Sequence, residues 1–330
     1  MYNPLEVFRF IAEAQTRGER TALVTIIDVT GASTRNPGAH LAVSETGAFA
    51  GSLSGGCIER AVAGEAIGAI MEGVPRTVRF GQGSPYIDIR LPCGGGVDLL
   101  FTPIGDASNG RQLVAHLEAR CPLTLGLSLT APGIAILDEP ANRALTVQKD
   151  LVLVGHVPPL RLAIFGNGAA VIKLAELAGA CEAIAEVYSP DERIVAASLE
   201  LGAPAKLLKT LTGGPYPELD RWTAVVVLFH DHDWEPAYIA HALASEAFYV
   251  GAMGSNRTHA ARCGMLRQMG IAEVDIARIV APIGLIPSMR DPETLAVSIL
   301  AQVVAEFDRR HLKPDQKPGS RSREEVAKNG

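Results

Sequence analysis

The segment Arg161–Ala180, RLAIFGNGAAVIKLAELAGA, predicts a strand, a glycine turn and a helix in immediate succession. The apolar run of the strand ends at Gly166-Asn167-Gly168, and apolar residues with helical spacing follow. In such a turn the first glycine permits the tight bend, and the second lets the backbone approach a phosphate at the positive end of the helix. The segment therefore predicts the first unit of a Rossmann-like sheet.

The rest of the C-terminal half continues the alternation of strands and helices. A strand, a helix and two further strands are predicted at 183–189, 191–202, 223–229 and 247–250. A long helix follows, with Asp291 as its cap, Pro292 in its first position and apolar residues as far as Phe307. Strands that alternate with helices at this spacing indicate a doubly wound parallel sheet.

The N-terminal half has a different pattern. A helix around Leu5–Ile11, a strand at Thr21–Val29, a hairpin around Glu45–Gly47 and a helix to Glu72 come first. Strands near 77–80 and 97–102 and a helix around 112–119 follow, and short apolar runs over 123–157 predict a small antiparallel sheet.

We therefore predict an α/β protein with an N-terminal mixed α/β domain and a C-terminal Rossmann-like domain with a doubly wound parallel sheet. The N-terminal domain is expected at 1–157 and the Rossmann-like domain at 158–312. The tail at 313–330 has almost no apolar content and is expected to be disordered.

Composition excludes several classes of protein. A net charge of −6 disfavours a general nucleic-acid binder, which usually has a basic face. No apolar run approaches the length of a bilayer span, and the first residues lack the pattern of a secretory signal. The cysteines number five and are irregularly spaced, which does not indicate a disulfide framework. A reducing cytoplasm is the expected compartment, with no nucleic-acid or membrane partner.

The fingerprint for a bound dinucleotide is incomplete. Val171 occupies the third glycine position, and Ser189 stands where an acidic residue would bind a ribose hydroxyl, with Asp191 following. NAD(P) as a reacting cofactor is therefore disfavoured, because the fold alone does not determine the ligand.

Two more polar loops follow predicted strands at the same edge of the sheet. The loop His230–Asp233, HDHD, permits a metal site or a capping loop that also contacts a ligand, and we favour the second because further metal ligands are not evident. The loop Gly251–Arg257 offers Ser255, Arg257 and Thr258 to an anion, or is a simple turn with a serine cap.

Two glycine-rich loops carry cysteines: GSLSGGCIE at Gly51–Glu59 and LPCGGGVDLL at Leu91–Leu100. Cys57 is expected near the first turn of a helix, where amides and the dipole stabilise a thiolate, although the Glu59 carboxylate would raise the thiol pKa. Cys93 lies in a segment too rich in glycine to pack as core. Buried cysteines are commonly inert, and we accept that role for Cys121, Cys181 and Cys263 but favour a function for the other pair.

The chain resembles the xanthine dehydrogenase accessory family (XdhC/CoxI) from about Thr21 to His311. In the first half the resemblance depends on GASTRNPGAHLAVSETG and on both cysteine loops. In the second half it depends on LAIFGNG, LFHDHD, GAMGSNRT and APIGLIPSMRDPETLAVSILA. The family often has a histidine soon after the second glycine of the turn and an aspartate closing the next strand. This chain departs from that pattern with Ala169-Ala170 and Ser189.

The resemblance implies an accessory factor and not a free-standing enzyme. Such a factor binds the molybdenum cofactor (molybdopterin or its dinucleotide form), supports its sulfuration with a cysteine desulfurase, and delivers it to a molybdenum hydroxylase such as xanthine dehydrogenase. A homodimer is also implied. The residues expected to contact the cofactor are Gly55, Gly56, Cys57, Cys93, Gly94, Gly95, Gly166, Gly168, Asp231, Ser255 and Arg257, with Cys57 and Cys93 at the molybdenum.

Two other functions remain open from the sequence. One is an NAD(P)-dependent oxidoreductase, and the other is a regulatory module whose Rossmann-like domain binds an ordinary nucleotide.

Overall fold

The computed structural model describes residues 4–56, 58–84, 94–105, 108–137, 145–212, 214–287, 289 and 291–311. The described chain divides into two compact units, Pro4–Val157 and Pro158–Arg310.

The first unit begins with a helix and a sheet that share one core. The strands pair in the order β3-β2-β1-β5-β4, antiparallel throughout. Apolar residues of α1, among them Phe8 and Ile11, are buried against this sheet. The elements are α1 (Leu5–Thr16), β1 (Thr21–Thr30), β2 (His40–Ser44), β3 (Phe49–Gly51), α2 (Glu59–Glu72), β4 (Arg76–Gly81), β5 (Gly96–Ile104) and α3 (Ser108–Glu118).

The same unit contains a second antiparallel sheet, as the short apolar runs predict. Its strands are ordered β7-β6-β9-β8. Leu125 and Val154 from this sheet lie in the same buried cluster as Phe8 of α1 and Leu100 of β5. The strands are β6 (Leu123–Ser128), β7 (Ile134–Leu137), β8 (Thr146–Gln148) and β9 (Leu151–His156).

The second unit is a doubly wound sheet. Its strands are parallel and ordered β12-β11-β10-β13-β14-β15, which confirms the predicted fold class. The Asp291 cap is also confirmed, since the Thr294 N–H donates to its carboxylate at 2.7 Å. The elements are β10 (Arg161–Gly166), α4 (Ala169–Ala180), β11 (Ile184–Ser189), α5 (Glu192–Glu200), β12 (Ala205–Leu207), β13 (Thr223–Leu228), α6 (Glu235–Leu243), β14 (Tyr249–Ala252), α7 (Asn256–Gln268), α8 (Glu273–Ile276), β15 (Ile279–Val280) and α9 (Pro292–His311).

The centre of the second unit is apolar and aromatic. All residues of β13 are buried, and the Phe165 ring of β10 stacks on Tyr188 and Tyr238 at centroid distances of 4.7 and 5.0 Å. Within the described residues, no helix combines the length and hydrophobicity that a membrane span requires.

A buried histidine pair lies between the two sheets of the first unit. The Nε2 atoms of His40 in β2 and His156 in β9 are 2.9 Å apart, and the Thr25 hydroxyl is 2.8 Å from His40 Nδ1. One shared proton satisfies the contact between the two rings, whereas a second would place two N–H groups face to face. Burial, and then the neighbouring His156, hold the pKa of His40 well below its usual range.

This pair predicts a loss of stability in mild acid. The unfolded chain takes up a proton on His40 as the pH falls through about 6.5, whereas the buried His40 stays neutral until lower pH. Stability is therefore complete above this value and falls below it, by up to about 1.4 kcal/mol per pH unit for one histidine. Urea unfolding at pH 7.5, 6.5 and 5.5 measures the slope. The double variant His40→Gln/His156→Gln should have a shallower slope, and equal slopes would contradict this account.

Candidate functional site

The strand order of the second unit places three loops side by side. The chain passes from β10 to β11 on one side and later returns to β13 on the other, so the order reverses between β10 and β13. Ligands of open α/β sheets bind beyond the carboxyl ends of the strands at such a point. The loops that follow β10, β13 and β14 therefore form the candidate crevice.

The glycine turn after β10 is set by close backbone packing. A Cβ atom on Gly166 would lie 2.7 Å from the Leu228 carbonyl oxygen of β13, so no other residue fits. Gly168 has a φ of +89° and precedes α4 without a side-chain cap, which leaves the first amides of the helix open to an anion. His230 lies beside this turn, because its Nε2 is 3.5 Å from the Cβ position of Gly168 and its N–H donates to Asn167 Oδ1 at 3.4 Å.

A buried ion pair joins the loops after β13 and β14. Arg262 of α7 donates through Nε and Nη2 to the Glu235 carboxylate at 2.8 and 3.2 Å, and both side chains are almost completely buried. Nη2 also donates to the Met253 carbonyl at 2.6 Å. His232 Nδ1 lies 3.0 Å from Glu235 Oε1. Sequence patterns did not identify Glu235 or Arg262; the weak signal was a pair of opposite charges on two helices that flank one sheet edge.

The predicted polar residues of these loops cap local structure. The Asp231 carboxylate accepts from the Asp233 N–H at 3.1 Å and caps a single 3-10 turn that leads into α6. The Ser255 hydroxyl accepts from the Thr258 N–H at 3.2 Å and caps α7, while Arg257 is exposed. His230 and His232 make different contacts, the first at Gly168 and the second at Glu235. Among the described residues, no cluster of three or more His, Cys, Asp or Glu side chains suits a metal ion.

The end of β11 has no free carboxylate for a ribose. Ser189 is buried, and its hydroxyl accepts from the Asp191 N–H at 3.2 Å. The Asp191 carboxylate caps α5 and pairs with the Arg193 guanidinium at 2.8 Å. Val171, at the third glycine position, is fully buried in α4.

In the first unit the Glu59 carboxylate organises the loop that precedes α2. It accepts hydrogen bonds of 2.8 to 3.3 Å from the Leu53, Ser54, Gly56 and Ile58 amides and from the Ser52 and Ser54 hydroxyls. Burial alone would raise the pKa of Glu59, but the bonds from the Ser54 amide and hydroxyl and from other amides lower it to about 2. Gly55 and Gly56 have positive φ values of 79° and 109°, which explains the glycines of this loop.

The second glycine loop is held by an arginine. Arg79 of β4 donates to Asp98 Oδ2, to the Thr30 hydroxyl and to the Gln82 carbonyl at 2.7 to 2.9 Å. A Cβ atom on Gly95 would lie 2.4 Å from the Ala32 carbonyl oxygen, so this glycine permits the approach of two backbones. Gly94 has a φ of +70°, and no described residue lies within 4 Å of the position that its Cβ would take.

The structure describes some of the cysteines and not others. Cys57 and Cys93 lie outside the described residues, so their predicted contacts with molybdenum stay predictions. The expectation of buried thiols was wrong for Cys121 and Cys181, which are exposed. Cys263 is buried, with its Sγ 3.6 Å from His259 Nε2.

Comparison with known proteins identifies the family. The family description "XdhC Rossmann domain" matches residues 162–303, and "XdhC and CoxI family" matches residues 14–81. The molybdenum cofactor insertion chaperone PaoD of Escherichia coli K12 is 32% identical over 299 residues, which cover 91% of this chain and 87% of that protein. The chain belongs to the XdhC and CoxI family.

Two further similarities are more distant. The uncharacterized protein YqeB of Escherichia coli K12 is 22% identical over 305 residues, and the match covers 91% of this chain but 46% of YqeB. A crystal structure described as a xanthine dehydrogenase from Bacillus halodurans matches with a TM-score of 0.72 and 21% identity, covering 95% of this chain and 98% of that one. At this identity the likeness shows a shared fold.

The hydrogen bonds that the Glu59 carboxylate accepts predict how strongly the amides of its loop are protected from exchange. Glu59→Gln removes the charge and one acceptor oxygen, so we expect faster amide exchange at Ser54 and Gly56, by about tenfold. Because the folded pKa is depressed, the stabilisation is present above about pH 4.5 and is lost as the pH falls through about 2. Hydrogen exchange with mass spectrometry measures both effects. Glu72→Gln at the exposed end of α2 is the control. Equal protection in both variants would contradict the claim that Glu59 holds this loop in place.

The buried pair of the crevice predicts a charge-dependent stability. Arg262→Met leaves the buried Glu235 carboxylate without its guanidinium and should lower the free energy of unfolding by about 3–5 kcal/mol. The double variant Glu235→Gln/Arg262→Met removes both charges and should recover much of this loss. Urea unfolding of the three proteins is the measurement, and a single variant as stable as the wild type would show that the pair is not needed.

Proposed function

We propose that this protein is an accessory factor that binds the molybdenum cofactor and passes it to a molybdenum hydroxylase. The supporting observation is the relative named as a molybdenum cofactor insertion chaperone, which is 32% identical and aligns with 91% of this chain. A shared fold alone would not support the same conclusion, because one fold serves many functions.

The crevice suits the phosphate end of such a cofactor. Gly166 and Gly168 shape a turn that opens onto the uncapped amides of α4, where the helix dipole favours an anion. Ser255 and Arg257 lie on the loop after β14 and suit an anion, whereas Asp231 lies on the loop after β13, where its carboxylate suits a hydrogen-bond donor of the cofactor. We propose these five residues as contacts of the cofactor, whether it is molybdopterin or its dinucleotide form.

The cysteine loops suit the metal end, because thiolates prefer soft metals. We propose Cys57 and Cys93 as contacts of the molybdenum, with Gly55, Gly56, Gly94 and Gly95 as further contacts of the cofactor. The shape of the loop before α2, fixed by the buried Glu59, supports a built site and not a flexible surface turn.

The wider role belongs to the same proposal. The hydroxylase served is of the xanthine dehydrogenase type, and a cysteine desulfurase supplies sulfur to the cofactor while it is bound. The protein works in the cytoplasm, as a homodimer, and acts on its cargo as a carrier without turnover of its own. We propose 158–312 as the Rossmann-like domain with the glycine turn and 1–157 as the domain that carries the cysteine loops.

An NAD(P)-dependent oxidoreductase is the competing function. The local contacts do not favour it, since Ser189 is buried and the Asp191 carboxylate is engaged by α5 and Arg193. Titration with NADH distinguishes the two functions: micromolar binding with turnover supports the oxidoreductase, and its absence supports the carrier.

The thiols provide the direct test of the proposal. The protein is expressed with cofactor biosynthesis intact, and molybdenum and pterin are measured per purified chain. We expect Cys57→Ser and Cys93→Ser each to lower the retained cofactor by about tenfold or more, because a soft ligand is lost.

Cys181→Ser is the matched control, because Cys181 is exposed and belongs to neither glycine loop. Circular dichroism confirms that each variant is folded. Unchanged retention in both loop variants would remove the thiols from the mechanism, and a wild-type protein without molybdenum or pterin would refute the proposed function.

A further inference from the structure

In the crevice, the ring of His232 is oriented by a hydrogen bond to the buried Glu235 carboxylate. The Glu235 carboxylate is bound to a guanidinium and can only accept hydrogen bonds, so His232 Nδ1 must donate to it. In the neutral ring the other nitrogen, Nε2, then carries the lone pair. The His232 side chain is 41% exposed, and Nε2 has no hydrogen-bond partner within the described residues.

Packing alone does not explain the buried ion pair that contacts this histidine. Glu235 is fully buried and Arg262 is 1% exposed. A buried ion pair is often no more stabilising than well-packed apolar residues, so its energy alone does not explain its presence. Its geometric effect is clear, because the pair fixes the ring of His232 and also holds the Met253 carbonyl of the next loop. A carboxylate behind an imidazole fixes its tautomer and orientation for contact with a ligand.

The surroundings of His232 favour a ligand that donates hydrogen bonds. Its own loop carries the exposed carboxylates of Asp231 and Asp233, which accept, and it carries no lysine or arginine. An anion would be repelled by this loop, whereas a heterocycle edge with N–H donors would meet acceptors. The 2-amino-4-oxo-pyrimidine edge of a pterin is such a donor edge, and guanine has the same one.

We propose that His232 Nε2 accepts a hydrogen bond from the 2-amino-4-oxo-pyrimidine edge of the ligand, with Glu235 and Arg262 as its positioning residues. This rests on the proposed function, in which the cargo contains a pterin. It assigns the pterin end to the loop after β13, next to the glycine turn that suits the phosphate.

The contact predicts a rescue that a purely structural role would not produce. A neutral side chain that keeps an acceptor at this position should retain the hydrogen bond, whereas an apolar side chain should lose it.

Fluorescence titration of the full-length protein with neopterin tests the proposal. His232→Leu removes the acceptor and should weaken binding by about tenfold at pH 7.5. His232→Gln keeps an acceptor, so its affinity should stay within about threefold of the wild type. His116→Gln, at a half-buried position of α3 in the first unit, is the control and should match the wild type.

Parallel titrations with GMP and inorganic pyrophosphate separate the sources of the signal. If the affinity for neopterin or GMP depends on His232 as described, the hydrogen bond from the donor edge of the ligand is supported. Binding of GMP without neopterin would support it while contradicting the pterin cargo. The proposal is overturned if His232→Leu binds both heterocycles as the wild type does, if the wild type binds neither, or if only pyrophosphate responds to the substitution.

Discussion

The buried ion pair between Glu235 and Arg262 is the interaction on which the crevice depends. It connects the first turn of α6 to α7 and to the loop after β14, and it sets the ring of His232. Removing two charges from water has a large cost that only good geometry offsets, so neither partner is replaceable alone. The glycine turn after β10 contacts the loop after β13 through the His230 N–H, which donates to Asn167 Oδ1 at 3.4 Å. Contacts within the chain thus connect the three loops.

In the N-terminal unit, charged side chains also hold loops in place through hydrogen bonds. Glycines give its loops backbone freedom that folding must remove. A buried carboxylate or a half-buried guanidinium removes this freedom by forming several hydrogen bonds at once. Glu59 does so for the loop before α2, and Arg79 does so beside Gly95 and Gly96. The amides that donate to Glu59 are not available to a second anion. The loop before α2 therefore offers a ligand its shape and not free amides.

The sequence predicted the elements better than the contacts between them. Hydrophobic periodicity is local, and it located β10, the turn at Gly166 and the Asp291 cap. Glu235 and Arg262 are 27 positions apart and are joined through folded packing, which no local pattern encodes. Glu59 was interpreted as a neighbour that would raise a thiol pKa, whereas the structure shows a carboxylate enclosed by its own loop.

Family membership, fold and local geometry are consistent with a carrier whose crevice is built in advance and whose cargo arrives from outside. The central claim is that the cargo is the molybdenum cofactor and that it leaves for a hydroxylase. The most direct measurement incubates the loaded protein with a cofactor-free molybdenum hydroxylase and follows hydroxylase activity and the molybdenum on each protein. This account predicts that activity appears as molybdenum moves between the two. It is contradicted if the hydroxylase stays inactive while free cofactor activates it.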